Sequence, residues 1–284
     1  MPEGPEVSII TDQLNSILSG KYVQRINIIS GPYLTNASAQ FVQTRKRIQQ
    51  LTAAISKPSV ALKVDSIGKK GKFMYFKLSR SNLSVGQIRT RTGIVFGSSL
   101  GLTGQWCLSD DSYHKIEIVF SDKPKSKDTT SLWYLDKLSN GRFYVDTDSW
   151  LDTKLSEIGV DILSKDFTQE AFDTVCASTK PIYRAITEQS SISGIGNYLR
   201  SEIIGNSKLD PFMKMSDLTS PQRKTLYASI KTISTECYKH GSDYRDIFGA
   251  AGTYTFKYYK QSVDPYGNAI KTIKDSEGRK FYYC

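Results

Sequence analysis

An α+β fold of two domains is predicted for this 284-residue chain by three observations. Apolar residues at helical spacing open the chain. Segments of β character separated by glycines follow to about residue 146, and helical patterning returns beyond about residue 152. The division read from these shifts is 1–146, a linker at 147–152, a helical domain at 153–240, and a connecting segment with a terminal β-hairpin at 241–284.

The first helix is marked by Val7, Ile10, Leu14 and Ile17 or Leu18, with Gly20 as its stop. Residues 60–64, 73–78, 116–120 and 142–145 carry β-branched and aromatic bulk, and Gly86, Gly93, Gly97, Gly101 and Gly104 punctuate them. With the first helix they predict an N-terminal helix plus a β-sandwich or barrel. Residues 122–131 are polar and Lys-rich, as in an exposed loop. Helices are expected at 167–175, 182–188, 198–204 and 221–238. Alternation over 269–274 and 279–283, across the turn Asp275-Ser276-Glu277-Gly278, predicts the hairpin.

Composition narrows the function. A net charge of +10 and a pI near 9.2 point a folded chain towards a polyanionic partner. The cysteines Cys107, Cys176, Cys237 and Cys284 form no C-x-x-C pair, so reduced thiols inside a cell are expected, with no zinc site and no disulfide framework. Glu3, Glu6 and Asp12 interrupt any signal peptide, and no apolar run is long enough to span a membrane.

The richest stretch is Met1-Pro2-Glu3-Gly4-Pro5-Glu6. Removal of Met1 would leave Pro2 with a secondary amine. Such an amine, partly unprotonated near neutral pH, can attack carbon and form a Schiff base. Glu3 and Glu6, spaced i, i+3, would share one face of a first helical turn. The same residues also suit a plain helix start, with Pro and acids in the first turn. Three further clusters stand out. Gly68-Lys69-Lys70-Gly71-Lys72-Phe73 is either a phosphate-facing loop or a solvated lysine turn. Ser193-Gly194-Ile195-Gly196-Asn197-Tyr198-Leu199-Arg200 is either a phosphate approach at a helix start or a helical corner capped by Asn197. Gly278-Arg279-Lys280-Phe281-Tyr282-Tyr283-Cys284 places Arg279 just after a turn, as a fork donor or an ordinary surface arginine.

Taken together, these motifs resemble the formamidopyrimidine-DNA glycosylase/endonuclease VIII family along essentially the whole chain. Pro2-Glu3-Gly4-Pro5-Glu6 is similar to the family's catalytic N-terminus, Gly71-Lys72-Phe73 to its lysine loop, and Gly194-Ile195-Gly196-Asn197-Tyr198 to its helix–two-turns–helix signature. Residues 158–163 and 241–246 fit its connecting segments. The resemblance implies that 153–240 is a helix–two-turns–helix bundle. It implies Pro2 as nucleophile, Glu3 as the acid that opens the sugar ring and shuttles protons, and Glu6 as its support. Lys72, Asn197 and Arg279 would bind the phosphates flanking a damaged nucleotide. Lys72 thereby joins Pro2, Glu3 and Glu6 in the catalytic set.

Departures matter as much. The family's usual finger carries two C-x-x-C pairs on zinc. Here Val263 and Tyr266 stand near the first pair and only Cys284 remains of the second. The tail therefore resembles the zincless finger of some endonuclease VIII-like enzymes, with Phe281, Tyr282 and Tyr283 in place of metal. Gly101-Leu102-Thr103-Gly104 puts Leu102 in the wedge position that fills the void of a flipped base. The Arg and Phe usual in the second void-filling segment are absent from Asp136-Lys137-Leu138-Ser139-Asn140-Gly141. The segment after Gly241 is short, which favours the endonuclease VIII branch and oxidised pyrimidines. The resemblance thus implies a monomeric, cofactor-free DNA glycosylase/AP lyase. It would act on damaged double-stranded DNA, or single-stranded DNA, wherever the cell or virus keeps it. A non-catalytic damage-binding protein on the same scaffold is the alternative, as is a plain helix–two-turns–helix nucleic-acid module.

Overall fold

Helix α1, Gly4–Leu18, begins where Pro5 fixes the backbone of the first turn. The Glu3 N–H donates to Glu6 Oε2 at 2.7 Å, one half of a reciprocal capping box. Val7, Ile10, Leu14 and Leu18 then face the first core. The computed structural model describes residues 2–82, 93–109, 112–242, 244–275 and 278–284. Met1, Gly86, Asp243, Ser276 and Glu277, all named above, lie outside these described residues.

After α1 come β1 Tyr22–Ile28, α2 Pro32–Thr35, α3 Ala39–Ile55, β2 Val60–Lys70, β3 Phe73–Asn82 and β4 Ile94–Ser99. The series ends with β5 Gly104–Cys107, β6 His114–Ser121, β7 Thr130–Asp136 and β8 Arg142–Thr147. The strands form one antiparallel sheet in the order β5-β7-β6-β1-β2-β3-β4-β8. The sheet doubles over on itself. Trp106 of β5 lies 5.6 Å from Phe76 of β3 and 5.9 Å from Phe143 of β8 between ring centroids. Its Nε1–H donates to Ser98 Oγ of β4 at 3.1 Å. This folding-over makes the sandwich that the strand pattern predicts. Helix α3 does not follow from that pattern. Its buried residues Phe41, Thr44, Ile48 and Ile55 are spaced along a polar, basic segment and cover the sandwich from outside.

The second half runs through α4 Asp148–Ser156, β9 Val160–Asp161, α5 Gln169–Val175, α6 Ile182–Ala185 and β10 Ile192–Ser193. It continues with α7 Asn197–Ser207, α8 Ser220–His240, β11 Lys271–Lys274 and β12 Lys280–Tyr283. Residues 147–152, read as a linker, instead open α4. Thr147 caps it, and Leu151 and Trp150 pack on Phe73 and Val95. A second core gathers Phe167, Phe172, Ile186, Leu199, Ile203, Leu226 and Ile230. Phe281 of the terminal hairpin joins it, and β11 and β12 pair with Ile273 opposite Phe281.

Two segments bring the halves together. Asp161 accepts from the Gly71 N–H at 2.9 Å and pairs with Lys69 at 2.8 Å, so β9 fixes the lysine loop. Downstream of α8, Ile247 enters the first core, Gln13 Nε2 donates to Asp246 Oδ2 at 2.8 Å, and Tyr244 donates to the Gly104 carbonyl. The first turn of α1 is left facing the first turn of α7.

Candidate active site

Two backbones meet closely at the site. The Gly4 N–H donates to the Gly194 carbonyl at 2.8 Å, and a Cβ on Gly4 would stand 3.0 Å from the Gly194 Cα. Gly194 adopts φ of +108°, a conformation that glycine takes without strain. Its freedom serves the approach of the N-terminal segment.

That approach delivers Glu3 to the start of α7. The Glu3 carboxylate accepts from the N–H groups of Gly196 at 2.6 Å, Tyr198 at 3.0 Å and Leu199 at 3.3 Å. These are donors that a helix start leaves unsatisfied. The cap of α7 thus comes from 193 residues upstream. Asn197, one of the two readings for which was a cap, is the first residue of α7 instead. Its Nδ2 donates to the Lys280 carbonyl at 3.0 Å, and its Oδ1 accepts from Arg200.

Glu3 is almost wholly buried, and burial raises its carboxyl to about 7. The Lys72 ammonium draws it back down and Glu6 pushes it up, both less strongly than burial. Burial also lowers the Lys72 ammonium, with Glu3 opposing. The two groups converge on one point, since a Cβ at Gly196 would collide with both the Glu3 carboxyl and Lys72 Nζ. Glu6 is held by the Glu3 N–H and by the Tyr198 hydroxyl, which donates to its Oε1 at 2.6 Å. Burial, followed by Glu6 and Glu3, raises the Tyr198 hydroxyl well above its ordinary range. Helix start and acid–base arrangement are one structure here.

Pro2 and Lys72 line a cavity of about 300 Å³ with Phe73, Leu100 and Gln189. Lys72 also lines a larger cavity of about 580 Å³ with Asn197, Arg200, Asp275 and Arg279. Lys72 therefore stands between the N-terminal proline and a basic recess that holds Asn197 and Arg279. Leu102 belongs to neither. It projects from the loop before β5, 49% exposed, with its N–H held by Asn140 Oδ1 at 2.9 Å. Leu138, on the adjoining loop, is 58% exposed, and its N–H donates to Thr103 Oγ1 at 3.0 Å.

Sequence reasoning gave no role to several residues that build the site. Gln189 pins the turn before α7, accepting from the Gly194 N–H at 3.1 Å and donating to the Ile195 carbonyl at 2.8 Å. Arg200 and Asp275 lie behind Asn197 and Arg279. Arg200 and Asp275 sit within stretches quoted for other reasons, but their pairing crosses 75 residues and has no local signal.

Comparison with known proteins decides the family. A profile described as "Formamidopyrimidine-DNA glycosylase N-terminal domain" matches residues 1–143, and one described as "Formamidopyrimidine-DNA glycosylase H2TH domain" matches residues 158–246. The chain belongs to the formamidopyrimidine-DNA glycosylase family. It is 26% identical to a formamidopyrimidine-DNA glycosylase of Lactobacillus gasseri over 287 residues, covering 95% of this chain and 88% of that one. It is also 26% identical to that of Mycoplasma pneumoniae, covering 100% of this chain and 91% of that one. The fold is similar to the MutM (Fpg) protein of Thermus thermophilus, with TM-score 0.78, 20% identity, and 100% and 97% of the two chains covered. It is similar as well to Lactococcus lactis Fpg in complex with abasic-site DNA, with TM-score 0.77, 20% identity, and 99% and 97% covered. The family is one of DNA-repair enzymes, and its helix–two-turns–helix domain is the bundle of α5 to α8. No helix among the described residues is long and apolar enough to cross a membrane.

Proposed function

We propose that this protein is a bifunctional DNA glycosylase/AP lyase that excises oxidised bases, mainly pyrimidines, from damaged DNA. The observation that carries the reading is the meeting of Pro2, Glu3 and Lys72 beside the basic recess of Asn197 and Arg279. Binding alone would not need a buried carboxyl raised to about 7 beside the lysine that lines both cavities. The Pro2 amine attacks C1′ of a flipped nucleotide, and the base leaves. Glu3, as the acid, protonates the sugar ring oxygen so that the ring opens and the Schiff base forms. Elimination of the 3′ and then the 5′ phosphate cuts the strand. Lys72, Asn197 and Arg279 hold the flanking phosphates. No cofactor enters these steps.

The pyrimidine preference rests on the segment after α8. It closes on itself through Asp246 N–H to the Ala250 carbonyl and Gly252 N–H to the Ser242 carbonyl. With Glu6, Ile9, Ile10 and Tyr244 it bounds a chamber of only about 190 Å³. A second reading, excision of ring-opened purines, is favoured by the names of the relatives. Rates on duplexes carrying thymine glycol, formamidopyrimidine and 8-oxoguanine decide between them.

Borohydride reduction during reaction with abasic-site duplex tests the chemistry. Mass spectrometry should place the DNA on the N-terminal peptide, at Pro2 after loss of Met1. An adduct on a lysine with Pro2 unmodified would sink the mechanism. Tight binding without any adduct would make the protein a damage binder.

A further inference from the structure

Arg200 and Asp275 sit behind the phosphate recess, and neither is explained by the chemistry at Pro2. The Arg200 side chain is 2% exposed and that of Asp275 is 4% exposed. Both terminal nitrogens of Arg200 reach Asp275 Oδ2 at 3.2 Å, and one also donates to Asn197 Oδ1. Arg279 Nε donates to the same Oδ2 at 3.1 Å, and the Arg279 N–H to Oδ1 at 2.9 Å. The Arg200 guanidinium lies over the Phe281 ring at 4.7 Å. One carboxylate is thus shared by two guanidiniums, and each end of the network touches a different residue of the recess.

A buried ion pair is weak evidence for stability, because apolar residues of similar volume often serve as well. What sets this one apart is its connections. It links Asn197, on α7, to Arg279, on the terminal hairpin, across a tail with a single cysteine. Both guanidiniums also line the cavity that Lys72 and Asn197 share, so the network sets two of that cavity's positive charges in place.

We infer that Arg200 and Asp275 are positioning residues. They hold Asn197 and Arg279 at the spacing that grips one DNA phosphate, and so set the hairpin's register on the helical domain where other fingers use metal. The inference rests on the phosphate-gripping role of Arg279 proposed above.

The test is a double-mutant cycle on affinity for abasic-analogue duplex across a salt series, with circular dichroism as the folding control. Arg279→Ala should weaken binding about tenfold, as loss of a charged hydrogen bond does. It should also flatten the slope of log K against log salt by about one unit. Asp275→Asn should do nearly the same, and the double variant should bind no worse than either single one. Asp275→Glu should restore part of the loss. If Asp275→Asn does not fold, Arg200→Lys crossed with Asn197→Ala carries the same test, because lysine cannot serve Asn197 and Asp275 at once. Wild-type affinity and slope in folded Asp275→Asn, or losses that simply multiply, would overturn the positioning role while leaving Arg279 in place. No effect of Arg279→Ala would defeat the phosphate reading and this inference with it.

Discussion

Glu3 and Asp275 stand near opposite ends of the chain, and both are buried acids that tie one domain element to another. They are held by different donors. Glu3 accepts from three backbone N–H groups at the start of α7, whereas Asp275 accepts from the side chains of Arg200 and Arg279. Backbone donors carry partial charges and cannot swing away. They orient the carboxyl without fully offsetting its burial, so it stays raised to about 7 and can exchange a proton. Guanidiniums carry full charge on movable stems, which suits holding a phosphate. On the function proposed above, one acid serves chemistry and the other grip.

Removing the proton from the first arrangement should have the largest effect. Glu3→Gln keeps one acceptor for α7 and loses the acid. Base excision should fall by roughly 10²–10⁴-fold, the usual worth of positioned proton transfer. Affinity for abasic-analogue duplex should change little. Single-turnover excision of thymine glycol at the wild-type rate would show that Glu3 has another task.

The raised carboxyl also predicts two pH effects of smaller size. As an acid Glu3 works while protonated, so kcat/KM should decline above about pH 7, and Glu3→Gln should lack that decline. For stability the sign follows from which state ionises first. The unfolded carboxyl ionises near 4.5 and the folded one near 7, so Glu3's contribution is fully present below about 4.5 and is lost as pH rises towards 7. Urea midpoints at pH 4.5 and 8 should therefore differ less in Glu3→Gln than in the wild type. A pH–rate profile unchanged by the substitution would place the proton elsewhere.

The sequence carried these features unevenly. Helix α1 and strands β2, β3, β6 and β8 were legible because their apolar residues repeat at 3.6 or 2. Helix α3 was not, since Phe41, Ile48 and Ile55 fall seven apart among Gln, Arg and Lys and resemble a solvated segment. Residues 147–152 looked like a linker because Asp and Thr cluster there, yet Thr147 uses that polarity as a cap. Within the site, Pro2, Glu3, Lys72, Asn197 and Arg279 were legible as motif positions. Their contacts were not. The cap of α7 by Glu3 and the pairing of Arg200 with Asp275 join residues far apart in sequence, and only the closure of the two cores brings them together.

The second arrangement should break more gently, and at its aromatic side. Phe281 is fully buried, stacked 5.5 Å from Tyr183 and 5.6 Å from Tyr283, and covered by the Arg200 guanidinium. Phe281→Leu keeps most of the apolar volume and removes the ring. The loss should be about 2–4 kcal/mol, two aromatic pairs and a cation–π contact. Urea unfolding at neutral pH measures it. Excision at saturating substrate should hold, because Asp275 still fixes Arg279. A strong chelator should shift neither the wild-type midpoint nor that of the variant, since aromatic packing and the shared carboxylate are what support the hairpin. Stoichiometric zinc in purified protein, or a midpoint that falls on chelation, would show that the tail is held by metal after all, and the contrast drawn between the two acids would then rest on the wrong support.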